Sequence, residues 1–126
     1  MALVKRVKQG GSYFQGFMLS VGAGTGNYTQ DIVLSNNNCA VNSVTLTPDK
    51  YGATDYITIQ HLDVNGNVMV PRGTLADTIY NLGAGVSIML DFSALEIFAK
   101  TEKLRVIYTN QAGVAMNLYI IAERIR

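Results

Sequence analysis

The chain has 126 residues, a formal net charge of +1 and 15% charged residues, and this composition excludes several classes of protein. Its length suits one domain. A single cysteine and a single histidine exclude an intramolecular disulfide, a cysteine-rich zinc site and a cage of several histidines around a metal. The near-zero charge argues against a surface built to attract nucleic acid or a membrane. Since about a quarter of an average chain is charged, the low charge indicates apolar surface that a partner covers, or poor solubility.

The basic N-terminus does not have the pattern of a targeting signal. No apolar run of about 7–15 residues follows residues 1–8, and the glycines of Gly22–Gly26 interrupt the longest uncharged stretch, which excludes a membrane-spanning helix there. We therefore expect synthesis in a reducing cytoplasm. Cys39 is expected to be a small, semi-buried thiol near a turn.

Alternating apolar and polar residues predict eight or nine short strands, spaced about ten residues apart. The last of them is apolar on one face and carries Ala115, Asn117, Tyr119 and Ile121 on the other, so it suits a central strand or a subunit interface. The predicted strands, in chain order, are Tyr13–Val21, Tyr28–Leu34, Val41–Thr47, Tyr56–Leu62, Val68–Val70, Thr78–Leu82, Val86–Phe92, Lys103–Asn110 and Val114–Ile121.

Turn and helix signals complete the predicted fold. Gly22–Gly26 predicts a flexible hairpin loop, and Asp63–Asn67 predicts a type I′ hairpin turn. Ser93 and Glu96 form a capping box, which predicts one or two turns of helix. Together these elements predict an all-β, antiparallel, jelly-roll-like β-sandwich of about eight strands with one short helix. We expect a basic N-terminal arm over residues 1–12 and a single sandwich domain over residues 13–126.

Histidine and acidic residues do not form a complete catalytic set. Asp63 lies on the same face of a predicted strand as His61 and could orient its ring, but no nucleophile is implied. The acidic pairs that would suit a glycosidase are Asp49 with Asp55 and Asp91 with Glu96. Such a pair must face a cleft, and the chain has no tryptophan to stack on a sugar. We therefore expect no enzymatic activity.

The sequence also predicts neither a metal nor a cofactor. Asp63, Asn65 and Asn67 have the spacing of the first ligands of a calcium loop, but the twelfth position is Thr74 and not the required glutamate. Gly22–Gly26 lacks the spacing of a nucleotide-binding motif, and a strand pattern follows it where that motif needs a helix.

Three groups of residues are candidates for binding a partner. The basic arm, which contains Lys5, Arg6 and Lys8, either frays or docks on an acidic surface or a neighbouring sheet edge. Tyrosines near loops suit interfaces, because the ring is apolar and the hydroxyl forms hydrogen bonds; Tyr28 and Tyr51 are the best placed. Tyr119 and Ile121 form the second face of the last strand. The basic residues do not alternate with aromatics, so we expect no direct binding of nucleic acid.

The chain resembles small virion proteins of tailed bacteriophages, the capsid decoration (cement) and head accessory proteins. The resemblance lies in the strand–turn rhythm of Asp55–Asn67, the strand pattern of Ala84–Phe92 and the polar positions rich in Asn, Thr and Gly. It implies a jelly-roll-like module in the virion that oligomerises, most often as a trimer, and clamps capsid subunits without catalysis or cofactor. The alternatives are a carbohydrate-binding module of an adhesion device, using Tyr28, Tyr51 or Tyr80, and a tail or connector component.

Overall fold

A computed structural model describes residues 3–9, 12–35, 37–69, 78–80 and 88–125, with the backbone alone described for 3–9, 12, 78–80 and 88–96. The described residues form nine β-strands. In chain order these are β1 Leu3–Gln9, β2 Ser12–Val21, β3 Gly26–Ile32, β4 Cys39–Pro48, β5 Tyr56–Leu62, β6 Thr78–Tyr80, β7 Ile88–Phe98, β8 Lys103–Asn110 and β9 Met116–Arg124.

The strands form two antiparallel sheets. The five-stranded sheet has the order β1-β2-β9-β4-β7, and the four-stranded sheet has the order β3-β8-β5-β6. The pairs are nested along the chain: β2 pairs with β9, β3 with β8, β4 with β7 and β5 with β6. The chain therefore crosses between the two sheets at most of its connections.

One hydrophobic core lies between the sheets. The five-stranded sheet contributes residues such as Leu46 and Ile120, and the four-stranded sheet contributes Ile59 and Val106, all of them fully buried. Alternate side chains of a strand point to opposite faces, so each strand that lines this core also has an outward face. The shared core makes the fold a β-sandwich, as the sequence predicted at this level.

Several strand predictions are confirmed residue by residue. Tyr56–Leu62 and Lys103–Asn110 are β5 and β8 with the predicted bounds. In β8 the buried residues are Leu104, Val106 and Tyr108, on the face that the alternation indicates. Val68 forms an isolated bridge with Leu62. Residue 70, the last of that predicted strand, lies outside the described residues.

The predicted helix at Ser93–Glu96 is wrong, because these residues lie within β7. Their strand pairs with β4, but the three residues of β4 from Val41 to Ser43 oppose the six residues of β7 from Glu96 to Asp91. The capping-box residues thus occupy the bulged part of a strand. Pairing with β4 outweighs the local helix signal, because a helix of one or two turns is only marginally stable by itself.

The hairpin at Asp63–Asn67 is present, but its turn is not type I′. The amide of Gly66 donates to the carbonyl of Asp63 at 3.0 Å. The amide of Asp63 in turn donates to the carbonyl of Asn67 at 2.9 Å. Of the described residues in this turn, Gly66 is the one with positive φ, at 85°. This is the pattern of a type I turn followed by a left-handed glycine, the alternative three-residue hairpin loop.

The other glycine-rich loop connects different sheets. β2 ends at Val21 in the five-stranded sheet and β3 begins at Gly26 in the four-stranded sheet. The predicted hairpin at Gly22–Gly26 is therefore wrong, because the two strands that flank it do not pair with each other.

Candidate partner-binding face

On β2 and β9, the outward side of the five-stranded sheet carries three large exposed apolar side chains. Met18, Tyr119 and Ile121 are 37%, 42% and 43% exposed. Met18 is the direct register partner of Tyr119, and Ile121 follows two residues later on the same side of β9. Directly opposed Cβ atoms of antiparallel strands are about 5 Å apart, so the three side chains form one patch. We call Met18, Tyr119 and Ile121 the apolar face.

The position of β9 in the sheet fixes the orientation of this face. β9 pairs with β2 on one side and with β4 on the other, and its inward residues Leu118 and Ile120 are fully buried in the core. A register slip of one residue would bury Tyr119 and Ile121 and expose the core residues. The core thus specifies which residues of β9 face outward.

Small or uncharged residues surround the apolar face. Gly16 and Thr45 flank Ile121 on the two neighbouring strands, and Thr47 flanks Tyr119. The nearest acidic side chain of β9 on this side is Glu123, at the margin of the face, where it accepts a hydrogen bond from Oγ of Ser43 at 3.2 Å. The centre of the face is therefore uncharged, as is typical of the core of a protein interface.

The outward side of the four-stranded sheet is polar and internally bonded. Arg105 on β8 donates from Nε and Nη2 to the two carboxylate oxygens of Asp31 on β3, at 2.7 and 3.0 Å. The hydrogen bond to Arg105 is the main reason that the pKa of Asp31 is lowered, and it raises the pKa of Arg105. Thr109 Oγ1 donates to Asn27 Oδ1 at 2.8 Å on the same side. These groups are satisfied within the chain.

The basic arm forms an edge strand of its own sheet. Its backbone is β1, which pairs with β2, and the register partners of Lys5, Arg6 and Lys8 are Gly16, Gln15 and Tyr13. Lys5 therefore shares a cross-strand row with Ile121 of the apolar face, through Gly16.

The two loop tyrosines pack against the core. The hydroxyl of Tyr28 donates to the carbonyl of Gly24 at 2.9 Å, and that of Tyr51 donates to the carbonyl of Asp55 at 2.6 Å. The ring of Tyr51 also meets Tyr108 edge-on, with the centroids 5.9 Å apart. Their rings and hydroxyls thus hold loops of this chain, whereas Tyr119 faces outward. Tyr80 is described by its backbone alone.

Asp55 organises the loops at one end of the sandwich. Its buried carboxylate accepts hydrogen bonds from the hydroxyl of Tyr108 at 2.5 Å and from the amides of Gly52, Gln111 and Ala112 at 3.2, 2.7 and 3.0 Å. Burial alone would raise the pKa of Asp55, but these four hydrogen bonds outweigh it and lower the pKa. Burial raises the pKa of the Tyr108 phenol, and the bond to Asp55 raises it further. This arrangement suits a structural role, because every donor comes from the fold itself.

His61 has a different partner from the predicted one. Its ring is buried, stacks on Phe98 with the centroids 3.9 Å apart, and lies with Nε2 2.9 Å from Oε1 of Glu102. Asp63, the predicted partner, caps the hairpin instead, where its carboxylate accepts from the amides of Asn65 and Asn67 at 2.9 Å. These hydrogen bonds, that from Asn67 first, lower the pKa of Asp63.

The remaining polar candidates have structural partners or lie outside the described side chains. Asp49 accepts from the amide of Asn117 at 2.8 Å, while Asp91 and Glu96 are described by their backbone alone. Cys39 is buried, and burial raises the pKa of its thiol. Among the described residues, no three His, Cys, Asp or Glu side chains cluster closely enough to hold a metal ion.

The described residues include no helix with the length and hydropathy needed to cross a bilayer.

The geometry therefore defines an all-β sandwich with an apolar patch on the outward side of one sheet. No family model matches the chain, and no curated protein matches it either. Among solved structures it is similar to the crystal structure of the SPBc2 prophage-derived protein YomS, with a TM-score of 0.53 and 13% identity over 93% of this chain and 98% of that chain. At this identity the similarity shows a shared fold.

Two residues with candidate binding roles were not predicted from sequence. Met18 belongs to the apolar face, but only the register of β2 with β9 places it beside Tyr119. Arg124 is a buried guanidinium at the end of β9; the predicted strand ended three residues earlier, at Ile121, so its inward orientation could not be anticipated.

Proposed function

We propose that this protein is a non-enzymatic structural protein of a bacteriophage particle, which binds the assembled capsid through contacts between subunits, as decoration and head accessory proteins do. The apolar face carries this proposal. An exposed, contiguous apolar patch with an uncharged centre is characteristic of a surface that another protein covers. The origin in a phage is supported by the fold shared with a prophage-derived protein.

We also infer a jelly-roll arrangement of the sandwich. The nested pairs β2–β9, β3–β8, β4–β7 and β5–β6 are what results when one long antiparallel ribbon is rolled into two facing four-stranded sheets. β1 then extends one of these sheets at its edge. This arrangement is common in viral capsid proteins, which supports the proposed class of function without specifying it.

The proposed mechanism is stabilisation by preferential binding. A protein that binds only the assembled lattice stabilises that state by mass action. Tyr119 is the best anchor for such binding, because its ring supplies apolar area and its hydroxyl a hydrogen bond. Thr45, Thr47 and Asn117 would form part of a polar rim around it. The partners are then capsid protein and further copies of this chain, most simply as a trimer in the virion.

Cryo-electron microscopy of the phage particle tests this proposal. We expect density for the sandwich on the outside of the head lattice, with the side of the five-stranded sheet that carries Tyr119 against a neighbouring subunit. Particles assembled without the chain are the matched control and should lack this density. Density in the tail or connector would replace the head assignment by a tail component, and absence from the particle would refute the proposal.

A further inference from the structure

We infer that Arg124 is a binding site for a carboxylate group of a partner protein, at the corner of the sandwich where β2 lies between the basic N-terminal strand and the end of β9. For the identity of the partner this inference rests on the proposed function. The site itself is defined by the geometry of the guanidinium group.

Arg124 is held in a fixed orientation inside the protein. It is only 9% exposed. Its Nε donates to Oε1 of Gln15 at 2.9 Å, and its guanidinium carbon lies 4.6 Å from the centroid of the Tyr13 ring. Gln15 is itself buried. One edge and one face of the guanidinium group are therefore occupied, which leaves the edge with the two terminal nitrogens to accept a ligand.

The two terminal nitrogens have no acceptor among the residues that the structure describes. In that part of the chain, the buried side-chain polar atom without a hydrogen-bond partner is Oδ1 of Asn42, so the terminal nitrogens of Arg124 reach solvent. A nearly buried cation without an acidic partner is unfavourable. A ligand that supplies two oxygen acceptors would satisfy it.

Arg105 shows the same side chain with its ligand in place. It donates through Nε and Nη2 to both carboxylate oxygens of Asp31, the bidentate geometry in which arginine binds carboxylates most strongly. In Arg124 the Nε is bonded to Gln15, so its two terminal nitrogens are the donors that remain; no acidic partner binds them in the described chain, although Arg124 is more deeply buried than Arg105. A carboxylate can also bridge this pair of nitrogens with two hydrogen bonds.

The sheet register concentrates positive charge around the site. The two residues that hold Arg124 are the register partners of basic positions on β1: Gln15 pairs with Arg6, and Tyr13 pairs with Lys8. Since neighbouring strands lie about 4.8 Å apart, the backbones of Lys8 and Arg124 are separated by about 10 Å across β2. The three basic positions, Arg6, Lys8 and Arg124, come from opposite ends of the sequence, and β-sheet pairing places their backbones near one another.

Two acidic positions lie near the site. Glu123 precedes Arg124 and accepts a hydrogen bond from Ser43 on the outward side of the sheet. Glu96 shares the cross-strand row of Arg124, but Val41 lies between them, so their backbones are about 10 Å apart. The net positive charge at this corner favours an anionic ligand.

A carboxylate fits this site better than the phosphates of a nucleic acid. The guanidinium group is recessed, so an aspartate or glutamate side chain that protrudes from a partner can reach it more readily than the backbone of a nucleic acid. The chain as a whole carries a net charge of only +1, and nucleic-acid binding depends on many phosphate contacts at once.

Nitrogen-15 NMR of the arginine side chains in the full chain tests the inference directly. The probe is an eight-residue glutamate peptide, titrated at physiological salt. We expect the Nε–Hε signal of Arg124 to shift in a saturable manner while that of Arg105 does not move, because its carboxylate is already in place. The R124K variant keeps the charge but loses the planar pair of donors. Its affinity for the peptide should be at least about tenfold lower than that of the wild type, which corresponds to the loss of one charge-assisted hydrogen bond.

Several results would overturn the inference. Unchanged Arg124 signals, or equal shifts of Arg105 and Arg124, would do so without any variant, so the test does not depend on R124K folding. An eight-nucleotide single strand that binds Arg124 more tightly than the peptide would make the site a phosphate site. Peptide binding in a chain that does not bind phage particles would leave the inference intact and refute only the proposed function.

Discussion

The two outer faces of this sandwich differ in where their side chains find partners. On the four-stranded sheet, Asp31 and Arg105 form a bidentate ion pair. On the five-stranded sheet, Met18, Tyr119 and Ile121 form an exposed apolar face whose centre carries no charge. Both faces belong to strands that bury their alternate residues in the same core, so the requirements of folding do not explain the difference.

This comparison separates residues that stabilise the fold from residues available for binding. Removing a group that is satisfied within the chain should lower the free energy of unfolding. Removing a group of the apolar face should leave that free energy nearly unchanged and weaken the binding of a partner. Substitutions on the two sides of β9, at Asp55 and in the Asp31–Arg105 pair test this division.

The largest effect is expected for the inward side of β9. Leu118→Ala should lower the free energy of unfolding by about 2–5 kcal/mol, because it leaves a cavity in the core. Tyr119→Ala, one residue away on the outward side, should cost less than about 1 kcal/mol. Urea denaturation of both variants measures the difference. Equal losses would mean that Tyr119 is a folding residue, and the two faces of β9 would no longer be distinct.

An intermediate effect is expected for the buried carboxylate of Asp55. Asp55→Asn should lower the free energy of unfolding by about 2–3 kcal/mol at pH 7. The NH₂ group of asparagine would replace one carboxylate oxygen and face the donors that now form hydrogen bonds with that oxygen. Since the folded-state pKa is lowered, the contribution of the carboxylate is fully present above its unfolded pKa of about 4 and is lost as the pH falls through the folded pKa.

Unfolding measured from pH 7 down to pH 2 tests this expectation. The wild type and Asp55→Asn should approach each other in stability as the pH falls below about 4. The matched control is Asp49→Asn, whose carboxylate is on an exposed residue and which should cost less. A difference between wild type and Asp55→Asn that stays constant down to pH 2 would contradict the role given to the charged form.

The smallest effect is expected for the ion pair on the four-stranded sheet. Asp31 and Arg105 are about 30% exposed, so Asp31→Asn should cost no more than about 1 kcal/mol. Because hydrogen bonding to Arg105 lowers the pKa of Asp31, this contribution is also lost on acidification below about pH 4. Salt should weaken it as well.

A double-mutant cycle with Arg105→Gln measures the interaction energy of this pair at low and high salt. A coupling energy near zero at low salt would show that the polar face is not stabilised by its own pairing. The contrast with the apolar face would then rest on hydropathy alone.

The periodicity of the sequence predicted much of the fold, because burial of alternate residues is a local property of a strand. β5 and β8 have the predicted bounds, and the outward orientation of Tyr119 and Ile121 follows from the alternation in β9. The helix at Ser93–Glu96 was predicted wrongly because its capping signal is local, whereas the pairing of β7 with β4 joins residues about 50 positions apart.

The two proposed binding surfaces could not be fully predicted for the same reason. Met18 lies beside Tyr119, and the backbones of Arg6 and Lys8 lie near that of Arg124, only through strand pairs that connect distant parts of the chain. Composition indicated a low charge and a basic arm, but it does not determine which strands become neighbours. Likewise, the partner of His61 is Glu102 and not the nearer Asp63, because the turn before β8 brings Glu102 to the ring.

The most direct test of the apolar face is the binding of two charge variants to phage particles that lack this protein. Ile121→Asp places a charge in the apolar face, and Thr29→Asp places the same charge at an exposed position on the other sheet. Co-sedimentation should show at least about a thirtyfold loss of affinity for Ile121→Asp, as for an interface hot spot, and less than about a twofold loss for Thr29→Asp. Wild-type affinity of Ile121→Asp, with both variants folded, would contradict the assignment of this face to a partner.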